Sequence, residues 1–299
     1  DGSTTTTGCG GWCFEIALQE PSCKDQWHTE EEVSWLVLEE GSFLSDDGAL
    51  LQTGLVQLAG NGWTTVRFRG TGFAQVPVHI SQVQTTNGGY CQNGDGSNVA
   101  ASAASCSARN SRSEGMSAFQ STDMHSSFFA DLDISPFTKT REAYCKPDAQ
   151  GDCGERGLAT FEFQISLESE GRGSTMQVNR DHVAEMVGWA AFARHHGSLG
   201  EAIYEAGMTP SDVREAPYRI PFTGHFRFAP KVFATIGTFH GSDSSQLRET
   251  SPPTNMGFEV LIEEEQCSGE VGANGAFTHP NAEEVDFIGV SPAIGEQAG

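Results

Sequence analysis

The sequence predicts an all-β chain built of tandem antiparallel sandwiches. Three observations carry this. Helical periodicity is scarce, while alternating runs rich in β-branched and aromatic residues are separated by Gly-rich turns. An order of residues ending in Glu-x-Val-x-aromatic is written three times. A second order, Phe followed four residues later by Pro and an alternating apolar run, is written twice.

The closing half of the repeat runs from Phe14 to Trp35, from Phe163 to Trp189 and from Phe258 to Phe287. Glu31, Glu185 and Glu283 each stand four residues before the closing aromatic, and Val33, Val187 and Val285 stand two before it. His28 and His182 stand seven before it, His279 eight. Agreement position by position marks repeated supersecondary units. The opening half is "WTTVRFRGTGFAQVPVHISQV" (63–83) and again "APYRIPFTGHFRFAPKVFATI" (216–236). The expected organisation is therefore half a unit (1–58), a whole unit (59–207) and another whole unit (208–299). The step from Phe14 to Phe163 is 149 residues and that from Phe163 to Phe258 is 95. The excess lies in about 87–157, a Ser/Gly/Cys-rich insertion in the middle unit, expected as a clipped loop. In "EVSWLVLE" both faces turn apolar after Trp35, which predicts a central strand covered on both sides. Trp35, Trp189 and Phe287 are expected in the core.

Composition bounds the function. The chain has 299 residues, with 17 Lys+Arg against 40 Asp+Glu and a net charge of -23, which argues against nucleic acid or an anionic membrane as the main partner. No apolar run approaches the roughly 20 residues that span a bilayer, so no membrane insertion is expected. The eight Cys are at 9, 13, 23, 91, 106, 145, 153 and 267, with no CxxC pair. An even, partly clustered set reads as disulfides in an oxidising, extracellular setting. Cys91 with Cys106 and Cys145 with Cys153 have the spacing of local clips, and Cys13 with Cys23 that of a hairpin staple. Cys9 and Cys267 are left to pair within the chain or between chains. The first residue is not Met, so a processed form or a piece of a longer polypeptide is expected.

No Gly-rich phosphate loop or G-x-S-x-G elbow occurs, and acidic pairs such as Glu283/Glu284 follow the repeat, so no catalytic residues and no enzyme are expected. "SDDGALL" (45–51) and "NGDGSN" (93–98) hold oxygen ligands for a loosely bound calcium ion, but lack the EF-hand spacing and read as turns. No other cofactor and no built metal site is expected. The recurring His–Glu pair suits a hydrogen bond that fixes a strand end better than a reaction.

The set Trp63, Val66, Phe68, Phe73, Pro77 and Val78, followed by Phe163, Gln164 and Ile165, resembles the H-type lectin-like domain of snail agglutinins and discoidins. The last unit repeats it with Phe226, Pro230, "LRETSPPTNMGFEV" and Phe287. The resemblance implies an antiparallel β-sandwich of about 100 residues that often trimerises. It also implies, in some members, binding of galactose or N-acetylgalactosamine through an early-loop Asp, an Arg on a middle strand and a Trp–His pair. On this chain the ligand candidates are Trp27, His28, Arg141, His182, Arg248 and His279. Two readings follow. One is a structural and adhesion protein of a larger extracellular surface or filamentous assembly, whose partners are its own copies or further domains. The other is a lectin for galactose-type glycans.

Overall fold

A computed structural model describes residues 33–60, 64–84, 126–130, 138–143, 160–169, 182–224, 226–238, 240, 245–264 and 281–292. The first half of the chain forms β1 (Trp35–Glu39), β2 (Gly41–Leu44), β3 (Leu50–Gly60), β4 (Thr64–Arg67), β5 (Val78–Val83), β6 (Ser126–Ala130), β7 (Thr138–Ala143), β8 (Glu162–Ser169) and β9 (His182–Phe192). The second half forms β10 (His195–Leu199), β11 (Ala202–Met208), β12 (Tyr218–Pro221), β13 (Lys231–Ile236), β14 (Ser245–Thr254), β15 (Gly257–Glu264) and β16 (Val285–Pro292). All pairings are antiparallel, and no helix occurs among the described residues, so none there is long and apolar enough to cross a membrane.

The sheets come in two matching sets. One unit has a four-stranded sheet, β2-β3-β9-β5, and a three-stranded sheet, β4-β8-β7. The other has β10-β11-β16-β13 and β12-β15-β14, the same order in the same sequence of strands. The match extends to register. Trp189 lies opposite Gly54 and Ser81, and Phe287 opposite Gly207 and Ala234. Val66 lies opposite Phe163, and Ile220 opposite Phe258.

Three apolar clusters join these sheets in sequence. Phe163 and Ile165 of β8 meet Leu58, Val187, Trp189 and Ala191 of the first large sheet, with Phe68 and Phe73 closing the end. Ala190 and Phe192, on the other face of β9, meet Val78, Ile80 and Leu51 and then Tyr204, Ala206, Phe233 and Ile288 of the second unit. Val285 and Phe287, on the other face of β16, meet Ile220, Phe258, Val260 and Ile262. β9 and β16 are thus covered on both faces, which explains why they read as continuous apolar runs rather than alternating ones. Both closing aromatics, Trp189 and Phe287, are buried as expected.

Several expectations are corrected. Trp35 is 59% exposed and Val37 41%, so β1 is not a strand covered on both sides. It pairs with β6 in a two-stranded sheet, and only Leu36 and Leu38 lean on the middle cluster. The expected boundary after residue 58 falls inside β3, whose partner along its length is β9. The boundary after 207 falls at the end of β11, which pairs with β16. Each large sheet therefore draws its second strand from before the expected start of its unit. Within the expected insertion, β7 is the third strand of the small sheet, at the place of β14 in the second unit. "NGDGSN" and all eight Cys lie outside the described residues.

Candidate functional site

The recurring Glu supplies a dense polar cluster. It forms where the chain enters β16. Glu283 is fully buried. Its Oε2 accepts from Thr238 Oγ1 at 2.5 Å, and its Oε1 accepts from the His240 backbone N–H at 2.8 Å. Thr238 Oγ1 accepts in turn from Glu284 N–H at 2.8 Å. The His240 ring stands above the carboxylate, with Nδ1 3.5 Å from Glu283 Oε2 and 2.7 Å from the Ala282 carbonyl oxygen. A carbonyl only accepts, so Nδ1 donates here. Ser211 Oγ donates to the same Ala282 carbonyl at 2.9 Å, and Asn281 Nδ2 donates to the His240 carbonyl at 2.9 Å. The bridge between Val213 and Glu283 ties the β11–β12 connection to this point.

A carboxylate enclosed this way is costly to bury alone, and here both oxygens accept hydrogen bonds from the segment that follows β13. Its chemistry is that of a clamp. An imidazole beside it is that of His240; His279, to which the repeated sequence pointed, lies outside the described residues. Glu185, at the matching place four residues before Trp189 and within β9, is also buried.

A second cluster sits between the units. Asp47 Oδ1 accepts from Ser45 Oγ at 2.6 Å, and Oδ2 meets Nε2 of His195, the first residue of β10. Asp46 N–H donates to the Ser198 carbonyl at 3.1 Å. The Ser45 hydroxyl bond, followed by the His195 contact, holds the Asp47 carboxyl down at about 2. Burial pushes the nearby Tyr204 hydroxyl up, against an opposing bond with Ser45. A Cβ at Gly197 would fall 2.2 Å from Asp47 Oδ2, so glycine there makes room for the carboxylate. "SDDGALL" is thus a turn, with Gly48 at φ 86°, Gly48 N–H on the Ser45 carbonyl and Ala49 N–H on Ser45 Oγ. Ser, Asp and His meet here, but the hydroxyl is bonded to the carboxylate rather than to the imidazole, which is not the arrangement that activates a nucleophile.

The lectin-type candidates are distributed as follows. Arg248 lies on β14 opposite Leu261, more than half exposed, and donates from Nη1 to Glu263 Oε2 at 2.9 Å. Arg141 lies on β7 opposite Ser166. Ser166 and Leu261 each stand three residues after the opening Phe of their strand, so the two arginines occupy the same register position in the two units. His182 opens β9 opposite Gly60, on a different sheet from Arg141. Trp27, His28 and His279 lie outside the described residues.

Sequence reasoning missed a third device. Gln52 Nε2 donates to the Arg69 carbonyl at 2.9 Å and its Oε1 accepts from Arg69 N–H at 2.7 Å. Glu205, at the matching place on β11, accepts from Thr223 N–H at 2.8 Å, Thr223 Oγ1 at 2.9 Å and Gly224 N–H at 2.8 Å. Both side chains are buried and fix the loop after the first strand of the small sheet. The signal available was a polar residue two before the glycine that opposes the closing aromatic. Comparison with protein-family models, curated proteins and solved structures finds no match to this chain.

Proposed function

We propose that the chain is a non-enzymatic extracellular structural and adhesion protein, built of lectin-like repeats and part of a larger surface or filamentous assembly. The observation that carries this reading is the shared middle cluster. Two units of one topology bury the second faces of their large sheets against each other, with only Ala193 and Arg194 between β9 and β10. Repeats stacked through a common core make a stiff brick, in contrast to domains strung on a flexible linker. The polar clusters act in the same sense: Glu283, Glu205 and Gln52 hold loops, and Asp47 holds one unit to the other. The eight Cys support the extracellular setting.

Glycan binding is the second reading. It is favoured by Arg141 and Arg248 standing at one register position of β7 and β14. Negative-stain imaging and sedimentation of the full chain, with glycan-array binding in parallel, test the pair. Extended or regular oligomers without glycan signal support the brick. A single-copy protein that binds galactose-type glycans, with binding lost in Arg248→Ala, replaces it with the lectin.

A further inference from the structure

Three strands present the same face to the middle cluster. The residues one and three places after the closing aromatic are Leu36 and Leu38 in β1, Ala190 and Phe192 in β9, and Ile288 and Val290 in β16, and all six pack there. Side chains alternate along a strand, so each aromatic belongs to the opposite face. Each aromatic also stands opposite small residues of its neighbours. Trp35 is opposite Ala130, Trp189 opposite Gly54 and Ser81, and Phe287 opposite Gly207 and Ala234. By register and by facing, β1 is the closing strand of a third unit on the same seam.

The three strands differ on the far face. In β9 and β16 it is covered by a small sheet, whose central strand carries F-Q-I-S-L (163–167) or F-E-V-L-I (258–262). Phe163 and Ile165 share a cluster with Trp189, and Phe258 and Val260 with Phe287. The paired rings meet edge to face, at 5.4 Å and 5.3 Å between centroids. Trp189 and Phe287 are each 4% exposed, whereas Trp35 is 59% and Val37 41% exposed. Trp35 and Val37 adjoin on one strand face, so they form a continuous apolar strip of the kind that β8 and β15 cover elsewhere.

The chain writes that covering order once more, as F-E-I-A-L at 14–18, and again ahead of the closing strand. Residues 1–32 precede the described residues and lead to β1. Leu18 to Trp35 is 17 residues, against 22 from Leu167 to Trp189 and 25 from Ile262 to Phe287. At roughly 3.3 Å per residue that length is ample for a return over Trp35.

We propose that the Trp35/Val37 face of β1 is the docking seat of the chain's own segment 14–18, with Phe14 and Ile16 set against Trp35 as Phe163 and Ile165 are set against Trp189. The occupant follows from the repeat, since each closing strand has one such segment ahead of it. A net charge of -23 also sets copies of the chain against one another, which favours an internal occupant. The seam then joins three units rather than two. This goes beyond the structural reading above and stands equally if the chain is a lectin.

Hydroxyl-radical footprinting of the full chain, read by mass spectrometry at Trp35 and Trp189 over a series of dilutions, tests the seat in wild type and in Phe14→Asp/Ile16→Asp. In wild type Trp35 is expected to be as protected as Trp189 at every dilution. In the double variant Trp35 is expected to lose its protection while Trp189 keeps it. Ile16→Ser carries the same expectation if the double variant loses protection at Trp189 as well. A reactive Trp35 in wild type overturns the proposal. Protection that falls on dilution puts a second copy on the face, and protection that survives both variants puts another segment there; either result overturns it too.

Discussion

The two units solve the same problem with different side chains. At the place where the second strand of the large sheet must hold the loop after the first strand of the small sheet, one unit has Gln52 and the other Glu205. The amide both donates to and accepts from Arg69, while the carboxylate collects three donors from Thr223 and Gly224. At the fifth strand, buried His79 packs 3.9 Å from the Phe163 ring where the second unit has Val232. At the last strand, Gly188 of one unit answers to Asp286 of the other. Asp286 Oδ2 reaches across and accepts from His79 N–H at 2.9 Å, on the outer strand of the first large sheet. Geometry is shared; at these three places polar chemistry is not, although both units bury the recurring Glu. The lesson is that topology and the apolar register define the repeat, whereas each buried polar group is fitted to its local donors.

The largest expected effect follows from the shared geometry. Trp189→Ala and Phe287→Ala each remove the aromatic at the centre of a unit, and each is expected to cost about 3–5 kcal/mol. Because the middle cluster takes residues from both units, a single calorimetric transition is expected to move in either variant. Two separated transitions would break the comparison, showing that each unit folds on its own.

Swapping the polar devices sharpens it. Gln52→Glu places a carboxylate before the Arg69 carbonyl, and Glu205→Gln places an amide N–H₂ before one of the two backbone donors, Thr223 N–H or Gly224 N–H. Each substitution installs the residue that works in the sister unit. Each is nonetheless expected to destabilise by about 1–3 kcal/mol, because a buried polar group then faces a partner of its own kind. Urea midpoints at constant slope read this. A neutral swap at either place would mean that the loop adapts and that the side chain does not dictate it.

Much of this was legible in the sequence where packing sets the pattern. Glu-x-Val-x-aromatic located β9 and β16, and Phe-x-x-x-Pro located the starts of β5 and β13, because buried strands accept few residue types. Unit boundaries were not legible. β3 and β11 reach their partners across the whole unit, and a hydrogen-bond ladder between residues more than 100 apart, such as Gly54 with Trp189, leaves no local trace. The glycines opposite the aromatics were the missing sign. A Cβ at Gly54 would lie 2.7 Å from the Trp189 ring and one at Gly207 2.5 Å from the Phe287 ring, so the large ring and the absent side chain are one feature written in two places. Trp35 misled because its motif matches the closing aromatics, while burial depends on which sheet lies over the strand. At the candidate site, Glu283 was legible through its spacing, but Thr238 and His240 were not, since they approach it from the far end of β13.

The smallest expected effect tests the asymmetry between the hairpins. The β2–β3 turn hooks onto β10 through Asp47, whereas the matching β10–β11 turn closes on Gly200 at φ 58°. The Asp47 carboxyl, ordinarily at 3.8, is held at about 2 by Ser45 first and His195 second. A carboxyl whose value is lowered on folding stabilises the folded chain above the unfolded value and loses that contribution as pH falls through the folded one. Wild type is thus expected to exceed Asp47→Asn in melting temperature by a small margin at neutral pH, since the pair is exposed and screened. The margin is expected to shrink from about pH 4 downward and to vanish near pH 2. Lys231→Gln, a charge removal at the matching end of the other unit's sheet, is expected to show no such acid-dependent margin. A margin for Asp47→Asn that persists unchanged to the lowest pH would show that the turn is held by its backbone bonds alone, and that the hook between the units is the Asp46 to Ser198 hydrogen bond rather than the carboxylate.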